Sequence, residues 1–242
     1  MLRQSDRSHS HRALLRALFV LLTCPLFAGP LSAQQQIDGF PSTGRLEYSV
    51  IRDNECIGAE FVEFKADKDK YTVKTRADIS LKVLFELITA YRFKHTSEEV
   101  WTDGKLISVT SRTDDNGKRK ILDVKREGDS LKVSYNGKER ELPGDSIPAS
   151  FWHPETHLQT LFLDPVSGKP RRVSIASMGE ETINIGSQAI KAQHYSIKGD
   201  IKRELWYGPD GKLLKYSFPA KDDSIIWVVL RPANPEQVLA CK

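Results

Sequence analysis

The sequence predicts an all-β fold: an antiparallel meander of about a dozen strands forming an open barrel or strongly curved sheet, with one or two short helices. Three observations predict it. The phrase Trp101-Thr102-Asp103-Gly104-Lys105-Leu106 returns as Trp206-Tyr207-Gly208-Pro209-Asp210-Gly211-Lys212-Leu213, each time between strand-like runs. Asp-Gly in that setting marks a hairpin, because the turns that match strand twist need positive φ, which glycine adopts without a Cβ clash. The same chemistry recurs at Asn116-Gly117-Lys118, Asn136-Gly137-Lys138 and Ser167-Gly168-Lys169, so corners of one kind punctuate the chain. Finally, Tyr71, Val73, Thr75, Ala77, Ile79, Leu81 and Val83 alternate with Thr72, Lys74, Arg76, Asp78, Ser80 and Lys82. A strand of that length, at about 3.3 Å per residue, spans roughly 43 Å and must coil around a core or break.

Residues 1–33 read as a secretory signal peptide and residues 34–242 as a single antiparallel β domain. Arg3, Arg7, Arg12 and Arg16 form a basic lead-in, an apolar stretch follows to Ala28, and Leu31-Ser32-Ala33 ends in the small-x-small pattern of a cleavage site. The uninterrupted apolar run is shorter than the ~20 residues a membrane-spanning helix needs. No Arg-Arg pair precedes it, which points to the general secretory route and a periplasmic destination. Removing the signal takes four Arg and one Asp from the 36 basic and 32 acidic residues, so the formal charge falls from +4 to +1. A near-neutral chain without long like-charge runs gives a nucleic-acid partner no electrostatic support. Cys24 leaves with the signal, and Cys56 and Cys241 remain for an oxidising compartment. A disulfide between them is expected, with two free thiols or an intermolecular link as the alternatives.

In chain order, residues 34–44 are a polar leader. Residues 46–50 alternate as a first strand, 53–58 turn the chain and 60–65 return it. After the long strand, Leu84, Phe85, Leu87 and Ile88 break the alternation around a single Glu86. This run is either buried core or a greasy flap at the mouth of a cavity, and in the second reading these four residues bind the ligand. Residues 91–101 resume a strand. Short strands follow at 106–112, 118–126, 130–135 and 139–142, charged on one face as suits a sheet with one wet side. Between Pro143 and Pro165 the chain leaves the sheet, because Pro148 and Pro154 exclude a central strand. A short helix after Pro154 within 150–162 is expected to cross a sheet face or plug a barrel end. Strands then follow at 171–178, 181–185, 188–198, 201–207, 213–218 and 224–231, with Gly179 and Gly186 among the separators.

Chemistry is harder to find. His153 and His157 in Trp152-His153-Pro154-Glu155-Thr156-His157 stand four apart, and with His95 or Glu155 they could complete a metal site. Pro154 restrains the residue before it from helical geometry, so His153 is expected outside the helix, and no metal is assigned. There is no Gly-x-Ser-x-Gly elbow, and no cofactor motif. Adjacent carboxylates at Glu98-Glu99, Asp114-Asp115, Glu180-Glu181 and Asp222-Asp223 point to opposite faces of a strand, which makes poor acid–base dyads. No catalytic residue is assigned.

The runs Ser97-Glu98-Glu99-Val100-Trp101-Thr102-Asp103-Gly104-Lys105-Leu106, Ser111-Arg112-Thr113-Asp114-Asp115-Asn116-Gly117, Ser150-Phe151-Trp152-His153-Pro154, Gly199-Asp200 and Leu205-Trp206-Tyr207 resemble a family of uncharacterised exported bacterial proteins, a domain of unknown function. The likeness covers nearly all of residues 34–242. The family pattern has Asn where this chain has His153, which argues against a family metal site there. The resemblance implies an all-β envelope protein and carries over no catalytic residue. A looser likeness, in architecture alone, is to the half-open barrels of periplasmic lipoprotein carriers. The reading is an exported envelope protein that binds an apolar or amphipathic molecule, such as a lipid, or an envelope protein. The alternative is a periplasmic hydrolase using the His153/His157 region. No membrane-spanning segment is expected after residue 33, and a sandwich packed with its own side chains is the alternative to a barrel with a cavity.

Overall fold

The computed structural model describes residues 44–83 and 88–232, all within one compact unit, residues 34–242. Among the described residues there are fifteen strands: β1 (Gly44–Arg52), β2 (Glu55–Asp67), β3 (Lys70–Val83), β4 (Ile88–Thr102), β5 (Lys105–Asp115), β6 (Lys118–Glu127), β7 (Ser130–Tyr135), β8 (Lys138–Pro143), β9 (Ile147–Pro148), β10 (Leu161–Leu163), β11 (Pro170–Ile185), β12 (Gln188–Gly199), β13 (Arg203–Tyr207), β14 (Leu213–Pro219) and β15 (Ile225–Leu230). They form one sheet in the order β8-β7-β6-β5-β4-β3-β2-β1-β15-β14-β13-β12-β11-β10-β9. Neighbours are antiparallel except β9 and β10, which are parallel. Asp103-Gly104, Asn116-Gly117 and Asn136-Gly137 all have positive φ at both residues, the geometry expected of tight hairpins.

The order of the strands dictates curvature. β8 and β9 are opposite ends of the sheet, yet only residues 144–146 join them. Four virtual bonds reach at most roughly 15 Å, so the sheet must wrap until its ends meet. The link is fastened from inside: Arg126 donates from Nε to the Leu106 carbonyl at 2.6 Å and from Nη2 to the Gly144 carbonyl. The turn between β10 and β11 reaches across to the other end of the sheet, where the Ser111 hydroxyl donates to the Pro165 carbonyl at 2.6 Å. The result is a coiled, barrel-like sheet with a seam. Five register shifts, including those at Val50/Ile51 and Leu81/Lys82, let the long strands bend as they coil.

The interior is filled from one end. Val62, Phe64, Tyr71, Val73, Trp101 and Leu106 project inward and are almost fully buried. Trp152 enters their midst, with ring centroids 5.7 Å from Phe64, 6.0 Å from Tyr71 and 5.5 Å from Trp101. The plug expected of residues 150–162 is therefore present, though in altered form. Only Pro154–Leu158 is helical, as a 3-10 turn, and the expected departure from the sheet is incomplete. β9 and β10 lie between Pro143 and Pro165, where no strand was expected, and Pro148 is accommodated because β9 is an edge strand. A second correction concerns Gly179, which does not separate two strands. β11 runs through it, and its φ of 94° sits at a bulge against β12. On the convex face, Ile183, Ile185, Ala192, Trp206 and Leu214 form a smaller buried cluster beneath the long β11–β12 hairpin.

Candidate binding site inside the barrel

Opposite the Trp152 plug, the interior is not filled. The alternation that buries Val62 and Phe64 puts Glu60 on the same inner face, and the registers Glu60↔Ala77, Ala77↔His95 and His95↔Thr113 make a row across β2 to β5. From the other side Val50, Val228 and Tyr216 make a second row across β1, β15 and β14. Between these rows lies a cavity of ≈ 280 Å³, bounded on its third side by Ala149 to Phe151 and by Asp164 to Val166. It opens into a wider mouth of ≈ 550 Å³ walled by Ile57, Ile79, Leu81, Phe93, Phe218 and Ile226. Ile79, Phe93, Arg203 and Phe218 line both spaces, so the two are continuous.

The walls are apolar and the depth is polar. Tyr216 donates its hydroxyl to Glu60 Oε2 at 3.1 Å. Burial pushes the Glu60 carboxyl up to about 7, against the opposing pull of that hydroxyl. His95 Nδ1 lies 2.8 Å from the Thr113 hydroxyl. Burial pushes His95 down to about 4, with the Asp164 charge opposing, so it is neutral at ordinary pH. Asp164 receives Arg171 Nε at 2.9 Å and the backbone N–H of Val166 at 2.8 Å. Burial acts to raise Asp164, and these donors together outweigh it and hold the carboxyl below its ordinary value.

Phe151 forms part of the cavity wall in a backbone conformation unusual for its type, with φ 62°. Such a residue costs on the order of 1–3 kcal/mol and persists only where its surroundings fix it. Here Tyr207 donates to its carbonyl at 2.6 Å and its ring packs edge-on to Phe162 at 5.8 Å.

The expected site residues fare unevenly. Leu84, Phe85 and Leu87 lie outside the described residues, and Ile88 is described only as the first backbone position of β4. Leu81 of β3 and Tyr91 of β4 line the mouth. Cys56 takes part in a disulfide, while Cys241 lies outside the described residues. His153 has φ −69° and ψ 136°, outside the helix as Pro154 demands, and its Nδ1 accepts from the Glu155 N–H at 3.2 Å. Its ring stacks on Trp101 at 4.7 Å, whereas His157 is spent on the Pro154 carbonyl and the Tyr195 ring. Both histidines have structural tasks, and among the described residues no three His, Cys, Asp or Glu side chains are grouped to hold a metal. Paired carboxylates divide between faces as expected: Glu98 pairs with Lys74 at 3.0 Å, while Glu99 is buried beside Trp101. Among the described residues no helix is long and apolar enough to cross a membrane.

Sequence reasoning missed Glu60, Arg203 and Tyr216. The signal was available: each stands in phase with inward apolar residues, Glu60 with Val62 and Phe64, Arg203 with Leu205 and Tyr207, and Tyr216 with Phe218.

Among solved structures, the chain is similar to a β-barrel-like protein of the domain of unknown function DUF1849 from Brucella abortus. That match has 13% sequence identity and a TM-score of 0.57, and it covers 77% of this chain and 94% of the other. At such identity the likeness is one of fold. A comparison with curated proteins finds no match. The profile of the domain of unknown function DUF6134 fits residues 48–231, so the chain belongs to that family of uncharacterised, β-rich proteins.

Proposed function

We propose that this protein is exported and binds an apolar or amphipathic small molecule in the open half of its barrel. The observation that carries the reading is the continuity of an apolar mouth of ≈ 550 Å³ with an inner cavity of ≈ 280 Å³ in a sheet plugged at its other end. Ligand sites are commonly concave, mostly apolar spaces of about 300–1,000 Å³ with a few convergent polar groups. Glu60, His95 and Tyr216 supply such groups here. Export rests on the signal-like pattern of residues 1–33.

The test is titration with an uncharged, environment-sensitive naphthylamine dye. Saturable binding is expected, weakened about ten-fold or more by Leu81→Asp and by Ile57→Asp, each of which sets a charge in the apolar wall. Near-ultraviolet circular dichroism verifies that both variants keep their tertiary packing. Absence of saturable binding, or binding indifferent to both substitutions in folded protein, overturns the reading.

A further inference from the structure

Arg203 stands where the mouth meets the inner cavity and lines both. Its guanidinium lies 4.4 Å above the centre of the Phe218 ring and 5.9 Å from that of Phe151. Nη1 donates to the Lys202 carbonyl at 2.8 Å, and the buried Nε has no hydrogen-bond acceptor. Among the described residues, no carboxylate oxygen comes within 4.0 Å of it. A half-buried guanidinium held over aromatic faces and lining a cavity, with its Nε shut off from solvent, is a poor structural device, since a polar group removed from water is costly unless paired.

The Asp164 charge favours the Arg203 guanidinium from a distance, and the Arg171 charge beside it acts against. Arg171 is matched by Asp164, and Arg52 by Asp222 and Asp53. Glu60 shares its carboxylate with Tyr216, burial favours its neutral form, and His95 is neutral. Lys221, on the rim of the mouth, adds a further positive charge. A guanidinium presents parallel N–H groups that match the two oxygens of a carboxylate.

Building on the binding reading, we propose that the ligand is a single-chain amphiphile with a carboxylate head. The head pairs with Arg203 at the junction, and the hydrocarbon chain lies outward in the mouth against Ile57, Ile79, Leu81 and Phe93. The head enters first because the polar groups lie deepest and the apolar walls nearest to solvent.

The proposal is tested by calorimetric titration of the whole protein with dodecanoate and with dodecanol, both kept below their aggregation limits. Wild type is expected to bind dodecanoate at least about ten-fold more tightly, the scale of one charge-assisted hydrogen-bond pair. Arg203→Gln is expected to abolish that preference while keeping dodecanol binding, and Arg203→Lys to retain part of it. Equal affinities in wild type, or an undiminished preference in Arg203→Gln, overturn the head-group assignment and leave the cavity reading standing. Binding of neither compound overturns both. If Arg203→Gln fails to fold, the wild-type ratio together with Arg203→Lys decides, because a ratio near one in wild type is already fatal.

Discussion

Glu99 and His153 both touch Trp101: the indole Nε1 donates to Glu99 Oε2 at 3.2 Å and the ring stacks on His153. Burial pushes Glu99 from 4.5 up to about 7, against hydrogen bonds from Ser150, Trp101 and Trp152, and pushes His153 from 6.5 down to about 4. Between pH 4.5 and 7 the folded protein holds a proton on Glu99 that the unfolded chain has released. Stability from this group is therefore complete below pH 4.5 and lost as pH rises through 7. For His153 the sign reverses: between pH 4 and 6.5 the unfolded chain holds the extra proton, so stability rises with pH through that window. Each effect is on the order of 3 kcal/mol, and over pH 4.5–6.5 the two oppose each other. Glu60 and His95 repeat the pairing in the cavity. Substituting one partner should expose the slope of the other. Glu99→Gln should gain stability relative to wild type as pH rises from 4.5 to 7, and His153→Asn should gain relative to wild type as pH falls from 6.5 to 4. Urea midpoints measured across this range check both; parallel curves for wild type and variants would refute the linkage.

The hairpins show which parts of an element are written in local sequence. The Asp-Gly and Asn-Gly corners were legible because two residues suffice to require positive φ, and the strand from Tyr71 was legible because its alternation persists. β9 and β10 were not, since strands of two and three residues exist only through what they dock against. Little of the site was legible: Leu84, Phe85 and Leu87 lie outside the described residues, and Glu60 and Arg203, which line the space, read in the sequence as ordinary strand charges. Glycines separate local from tertiary demands in the same way. At Gly104, φ is 71° and an added Cβ meets nothing within 4 Å, so Gly104→Ala should cost about 1–2 kcal/mol for the left-handed backbone alone. At Gly58, where the β1–β2 register slips, an added Cβ falls 2.3 Å from the Asp78 carbonyl oxygen and 2.8 Å from Ile79 Cα. Relief there requires β2 and β3 to part beside the mouth. Gly58→Ala should therefore destabilise more than Gly104→Ala in thermal melts and should also weaken dye binding, which Gly104→Ala should leave unchanged. Equal melting temperatures would mean that the close approach of β2 and β3 matters little.

At the scale of the molecule, a coiled sheet has two edges, and each is protected. β8 carries Lys138, Glu139, Arg140 and Glu141, and β9 is only two residues long and contains Pro148; short, charged or proline-bearing edges resist pairing with other chains. The Arg126 clamp and the β10–β11 turn draw the ends together, yet no covalent bond among them does so. The disulfide of Cys56 acts elsewhere, at the start of β2 beside Ile57 of the mouth. We propose Cys241 as its partner, because cleavage after Ala33 would remove Cys24 and leave Cys241 as the sole remaining cysteine. Such a bond would tie the end of the chain back to the first hairpin and close a loop covering most of the domain. Chain-entropy reasoning gives such a loop up to roughly 5 kcal/mol, less any strain. The intact mass of protein isolated from the periplasm, without reductant, tests export and bond together: it should correspond to a chain beginning at Gln34 and lighter by the hydrogens lost on oxidation. Cys241→Ser should lower the urea midpoint as much as reduction of wild type does, and reduction should then have no further effect. A mass that retains residues 1–33 would refute cleavage, and a Cys241→Ser protein still sensitive to reductant would show that Cys56 pairs elsewhere.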